Sequence, residues 1–427
     1  MFGIFSRKAK KKPEQPAANL AACAEPAPAN QAVPSVIVKR SAVEQSADGG
    51  HLHLVFAVNA FVETMRDEGL YTLSELPPKA VHVDRADVYL AQVNNGGHSQ
   101  FIHNCNVYGI LGEVINHAAT GLAGMGALQH LAVLKRMAAW ADRYPDEVKE
   151  QTGFEGGRAS LLDELDDLFY EADKASPMLA LSARWITSWP ELIVVDDADY
   201  AGAIRRLVMA NPLREPRLLH RSIAKLVSQM IGWREVGVAL AYAKALKSEV
   251  KMEFGMARML EVEGEKQMVF QLRTSAKEPR LCVATETHAA IYEHIAPDDR
   301  LVPRPGESPL TAGTPRVGKR LARVEAPEIA MAIELAEEYH APVAVDLLLR
   351  KAGFDPTDAI VSANSVIPGD GGAVVNWVVM ASGHAFLLRS SPDGCMLWRG
   401  GQEESIAEAY QPELQEHFDR SAADQSV

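Results

Sequence analysis

Through the first half of the chain, apolar residues recur at helical spacing. Val55, Val58, Val62 and Met65 form one stripe within residues 52–68, ended by Gly69. Val83, Ala86, Leu90 and Val93 form a second within 81–93. Gly121, Gly124 and Gly126 open a third helix, through Leu128, Leu131, Leu134 and Ala138, which closes before Pro145. Residues 160–174 give the clearest amphipathic pattern. Leu161, Leu165, Leu168, Phe169 and Ala172 are predicted to face inward, and Asp163, Asp166, Asp167, Tyr170 and Glu171 outward, with Ser160 as the cap. A basic segment at 205–234 carries Leu219, Ile223, Leu226 and Met230 at helical spacing. It reads as a helix that either binds nucleic acid or docks on the acidic residues before it. Helix continues over 236–247.

Beyond about residue 265 the pattern changes. Segments 267–273 and 280–285 read as strands, 296–316 as a Pro- and Gly-rich loop, and 325–339 as an amphipathic helix. Residues 342–351 are ambiguous. Segments 359–366, 373–381, 384–389 and 395–399 alternate as an antiparallel meander should, and an acidic helical tail follows Gly401. The expected class is α+β: an all-helical N-terminal domain, then a helix-plus-antiparallel-meander region. The expected boundaries are a basic tail and Ala/Pro-rich linker at 1–49 and a helical domain at 50–205. Helices and a short hairpin then fill 206–295, and an α+β region fills 296–427.

One stretch departs from simple periodicity. Asn94, Asn95, Gly96 and Gly97 follow the second stripe, and a short helix carrying Gln100, Phe101 and Asn104 comes after them. Asn and Gly accept the left-handed conformation that ends helices, and paired glycines leave room for a close chain passage. The two asparagines and Gln100 are expected to satisfy backbone groups at a tight corner; direct ligand contact is the alternative. This V-N-N-G-G-x-x-Q-F-x-x-N run resembles the signature of the bacterial DNA-mimic protein family. Residues 161–170 resemble the family's later L-D-x-x-F-Y helix. The resemblance covers about residues 50–205. His98 and His103 stand where that pattern leads one to expect aromatic residues. It implies an acidic, all-helical protein that occupies a DNA-binding transcription factor in place of DNA.

Charge sharpens that expectation. The net charge is -13, of which residues 51–200 contribute -12, with 10 basic and 22 acidic groups. Such a field repels nucleic acid and attracts basic partners, although acidic surfaces also serve solubility. The expected partner face is Asp163, Asp166, Asp167 and Glu171, joined by Asp196, Asp197 and Asp199, which alternatively cap the helix at 200–209. Its expected partner is a basic protein surface, a DNA-binding protein being the leading candidate, with no direct nucleic-acid binding by the acidic domain. Residues 1–12 join Phe2, Ile4 and Phe5 to a lysine cluster, which suits a solvated tail or weak membrane contact. They do not read as a secretory signal. Four scattered cysteines form neither a disulfide framework nor a zinc pattern, which fits a cytoplasmic protein.

The sequence gives little support to catalysis, and no cofactor, metal or catalytic residue is expected. Residues 313–320 nearly match a phosphate loop, but Arg320 replaces the magnesium-binding hydroxyl residue and no strand leads in. His98, His103 and Cys105 match no common zinc spacing. Cys282 and His288 are a weak nucleophile–base pair. The leading reading is a non-enzymatic interaction protein. The alternative is an enzyme or ligand-binding protein with its site in the C-terminal half.

Overall fold

A computed structural model describes residues 32–152, 158–246, 252–274, 279–296, 314–369 and 371–422. The readings of 1–12 and of most of 296–316 lie outside these residues. The chain divides into two units between Arg214 and Glu215.

The N-terminal unit opens with β1 (Val36–Lys39), α1 (Arg40–Ala47) and α2 (His51–Asp67). After a 3-10 turn at Leu73–Glu75 come α3 (Pro78–Val107), α4 (Leu111–Gly124), α5 (Leu128–Arg143) and α6 (Pro145–Glu150). Then follow α7 (Ser160–Ala175), α8 (Met178–Thr187), β2 (Leu192–Val195) and α9 (Asp197–Ala210). The stripe of α2 is buried as expected and packs with β1, Ala183 and Ile186 of α8, and Ile204 of α9. A second core gathers Tyr89 and Phe101 of α3, Leu122 of α4, Leu134 and Met137 of α5, and Leu165 and Phe169 of α7. Helix α3 serves both cores, with Val81 and Val83 in the first and Tyr89 to Cys105 in the second.

Several local expectations change. β1 and β2 pair in parallel, Val36 with Leu192 through Lys39 with Val195, so this unit carries a small sheet besides its helices. Each strand has four residues, too few for alternation to register. Gly121 and Gly124 lie in α4 rather than opening a helix, and Gly126 turns the chain at φ +77°. Gly121 is needed for a close crossing, because a Cβ there would stand 2.5 Å from the carbonyl oxygen of His82.

The C-terminal unit begins with α10 (Arg214–Ile231) and α11 (Trp233–Leu246). β3 (Met252–Val262), β4 (Glu265–Thr274), β5 (Arg280–Ala284), β6 (His288–Ile295) and β7 (Arg316–Glu325) form one antiparallel sheet in sequence order. α12 (Ala326–Glu338) and α13 (Ala341–Lys351) lead to the expected meander, β8 (Ile360–Ile367), β9 (Val374–Ala381), β10 (His384–Ser391) and β11 (Gly394–Arg399). β12 (Ala407–Ala409) completes that sheet, and α14 (Gln411–Ala422) follows. One core joins both sheets to the helices: Leu226 of α10, Val238 and Leu240 of α11, Ile291, Ile329, Val345, Leu348, Trp377 and Leu388. The apolar stripe of the basic helix therefore belongs to this core. The ambiguous segment 342–351 is helical and buried along nearly its whole length, so it shows no polar face for periodicity to reveal.

Asp346 lies at the centre of this unit, fully buried. Ser222 Oγ donates to it, as do Arg350 Nε at 2.7 Å and His417 Nε2 at 2.8 Å. Burial works to raise its pKa, but the hydrogen bonds from His417, Arg350 and Ser222 together outweigh that and hold the carboxyl below the usual range. The final helix is accordingly docked through Leu414 and His417. The sign of the pH dependence follows. A carboxyl depressed in the folded state stabilises fully above its unfolded value, near ~4, and that contribution is lost as pH falls to the depressed native value. Urea unfolding of the wild type should weaken below about pH 4 by up to about 1.4 kcal/mol per pH unit more than that of Asp346→Asn. Parallel pH profiles for the two proteins would exclude this role.

Candidate protein-interaction site

The Asn-Asn-Gly-Gly run does not end a helix so much as break one. Gly96 (φ -163°, ψ 23°) and Gly97 (φ 73°, ψ -175°) leave helical geometry in the middle of α3. Each break exposes backbone carbonyls on one side and N–H groups on the other, and these need partners. Helix α7 and the residue two before it supply them. Tyr170 Oη donates to the carbonyl of Val93 at 2.9 Å. Arg158 Nη2 donates to the carbonyl of Gly96 at 2.9 Å. Asp166 Oδ1 accepts the N–H of His98 at 2.7 Å. Three side chains thus cap both faces of the break.

The caps are themselves tied together. Arg158 Nη2 also donates to Asp166 Oδ2 at 2.9 Å, and His98 Nδ1 lies 2.6 Å from Asp166 Oδ1. Tyr89 Oη lies 2.8 Å from His98 Nε2. Burial, with the nearby charge of Asp166, raises the Tyr89 phenol well above its ordinary pKa; burial raises Tyr170 too. Both stay protonated at neutral pH and act as donors. The hydrogen-bond pattern assigns the His98 proton to Nδ1, leaving Nε2 to accept from Tyr89. Phe169 packs edge-on against Tyr89 and His130. The two sequence motifs are therefore one physical object: Asp166, Phe169 and Tyr170 of the second hold the break made by the first. His98, placed where an aromatic was expected, keeps a ring there and adds a buried hydrogen bond.

This geometry corrects several expectations. Asp166 does not face outward; it is buried and committed to the corner. Leu168 is 41 % exposed, whereas Leu162 takes the inward position. The chain turns α7 to bury Asp166 because three donors converge there, overriding an apolar count that placed it on the polar face. Ser160 makes no capping bond. Asn94 and Asn95 are exposed, with no side-chain hydrogen bond among the described residues, so they do not satisfy the corner. Gln100 and Asn104 instead approach Gln92, Asn104 Nδ2 at 2.7 Å from its Oε1. Phe101 is fully buried.

The second acidic cluster is also largely engaged. Arg40 Nε donates to Asp196 at 2.7 Å. Ser41 offers both its N–H and its hydroxyl to Asp197, and these bonds hold that carboxyl below the usual range. Asp197, in the first turn of α9, thus caps α1. Asp199 stays exposed. What remains outward on α7 is Asp163, Asp167 and Glu171, at consecutive four-residue steps along one face. Asp163 lies 3.5 Å from Arg158; Asp167 and Glu171 have no ion-pair partner among the described residues.

Arg158 and Tyr89 carried no periodic signal, and Arg158 precedes its helix. The signal available was the fixed Asp and Tyr of the L-D-x-x-F-Y resemblance, which an outward-facing role does not explain.

The chemical candidates find no site. Cys282 is buried on β5 with its thiol pushed up to about 12 by burial, and His288 is bonded to Thr285 and Thr287. Burial pushes Cys105 up to about 11, and His103 Nδ1 is bonded to the carbonyl of Gln151. Residues 316–320 of the phosphate-loop near-match lie in strand β7, where a phosphate loop would begin a helix; Gly313 is outside the described residues. Among the described residues no group of three or more His, Cys, Asp or Glu is placed to hold a metal. Also among them, no helix is long and apolar enough to cross a membrane.

The helix break locked by α7, with the short acidic row beside it, is the candidate site of this helical unit. Residues 74–189 match the family described as DMP19-like protein, which agrees with the DNA-mimic resemblance over that limited part of the chain. No curated protein and no solved structure matches the chain.

Proposed function

We propose that the N-terminal unit is a non-enzymatic, cytoplasmic interaction module that binds a basic protein surface, a DNA-binding protein above all, through α7. The observation that carries this reading is the exposed row Asp163, Asp167 and Glu171 on a helix fastened to the corner by Asp166 and Tyr170. A rigid row loses little entropy when it meets a partner. Four residues of helix advance about 6 Å, whereas one DNA strand carries a charge every ~3.4 Å. The row is therefore about half as densely charged as one strand, which favours capture of a basic patch over a full imitation of the duplex. The alternative, a ligand site in the C-terminal half, has less support. One cleft there among the described residues, lined by Ile223, Val227, His340 and Phe418, holds about 10 Å³, room for about one water.

The immobilised full chain, offered cytoplasmic proteins of its native host, should retain a DNA-binding protein at low salt. Duplex DNA should compete it off, and Asp167→Lys/Glu171→Lys should fail to retain it while keeping the wild-type circular dichroism. Raising salt from about 50 to 500 mM should release it, since exposed charges are screened over a few ångströms there. Retention indifferent to both charge reversal and DNA would sink the reading.

A further inference from the structure

The β8–β12 sheet carries large apolar residues on both faces, with Ser362, Asn376, Arg389 and Glu408 also on the outer one. Val375, Trp377, Val379, Leu388 and Leu397 face the core. On the opposite face, Leu387 stands between Val378 of β9 and Trp398 of β11, and Met380 pairs with Ile360. Leu387 is 39 % exposed and the other four are half-buried, and among the described residues none of the five packs on a buried core. An antiparallel sheet with one face on a core ordinarily turns polar residues to water on the other. Two charges border this patch in one cross-strand row: Arg389 opposite Met396, and Met396 opposite Glu408. Arg389 is exposed and has no hydrogen bond or ion pair among the described residues. Glu408 is steadied by Ser405 Oγ at 2.6 Å.

We propose that this face associates with the same face of a second copy of the chain. Self-complementarity of charge selects that occupant. Arg389 and Glu408 lie one strand to either side of β11, so a two-fold axis along β11 sets each arginine over the partner's glutamate. It also sets Met396 and Trp398 over their own counterparts. Two copies of an isologous face need this i-to-j reciprocity. Strands of eight, eight, eight, six and three residues, at ~3.3 Å per residue and ~4.8 Å apart, give a face of about 500 Å². The axis overlaps only β10, β11 and β12, so Leu387, Met396 and Trp398 lie in the contact while Val378, Met380 and Ile360 stay outside it. The contact falls below the usual ~800 Å² per partner, which makes the dimer weak.

Sedimentation velocity of the full chain tests it, from low micromolar to several hundred micromolar. The mass should rise from 46.5 kDa towards twice that value. Arg389→Glu should weaken association at least about tenfold, since it sets like charges opposite each other. Arg389→Glu/Glu408→Arg should restore it, and Trp398→Ser, folded by circular dichroism, should lose it. A wild type monomeric throughout overturns the proposal. So does a dimer that Arg389→Glu or Trp398→Ser leaves intact, or one that the double exchange fails to restore.

Discussion

Gly97→Ala should cost the N-terminal unit about 5 kcal/mol, near the lower bound of what a whole domain possesses. Two effects combine. Gly97 sits at φ +73° and ψ -175°, a region open essentially to glycine alone, where a side chain costs roughly 1–3 kcal/mol. Its Cβ would also fall on Asp166 Oδ2 and Arg158 Nη2, so the buried pair must part. Separating such a pair costs roughly 3–5 kcal/mol. Gly126→Ala is the control. That glycine has φ +77° but nothing within 4 Å of a Cβ, so only the conformational cost applies. Urea unfolding followed by circular dichroism should separate the two variants by at least about 2 kcal/mol. Equal losses would mean that Gly97 is there for its backbone alone and that the corner has slack.

Asp166→Asn is the second large effect. The amide keeps the shape but offers only one acceptor to the three donors that meet the carboxylate: the N–H of His98, its ring Nδ1, and Arg158 Nη2. Its own NH2 then faces a donor, and the charge of Arg158 loses its buried partner. Arg158 is about a quarter exposed, which puts the loss at the lower end for such pairs, about 3 kcal/mol. Asp167→Asn, one residue on, should stay within about 0.5 kcal/mol of the wild type. The contrast matters for function. Loss of partner capture in an Asp166 variant would report unfolding, whereas loss in Asp167 and Glu171 variants would report the surface. Arg158→Met with Asp166→Asn should cost less than the sum of the single changes. Full additivity would mean that the two do not form one network.

The visible and hidden parts of the corner differ for a definite reason. The helices around it follow from apolar residues at three- and four-residue spacing, a local property of the chain. That the run from Asn94 to Gly97 interrupts α3 also follows locally, from the left-handed freedom of glycine. Which acids of α7 face water does not. Asp163, Asp166, Asp167 and Glu171 are alike as residues. Asp166 is distinguished only by donors 68 and 8 positions away, on His98 and Arg158. Asp196 and Asp197 were likewise legible as acidic and as near a helix start, but not as partners of Arg40 and Ser41, 156 positions earlier.

By itself, the sequence determined the α+β class, most helices, the C-terminal meander, the acidic bias of residues 51–200 and the motif pair at 93–104 and 161–170. Each is written in periodicity, turn chemistry, net charge or a fixed run of residues. Only the tertiary structure decided that the two motifs are one lock and that α13 is a buried helix. It alone converted part of the acidic face into caps and ion pairs, and gave β1 and β2 to each other. Those outcomes depend on donors and acceptors distant in the chain meeting where water is excluded, and a buried carboxylate goes where its hydrogen bonds are, whatever face the local pattern assigns it.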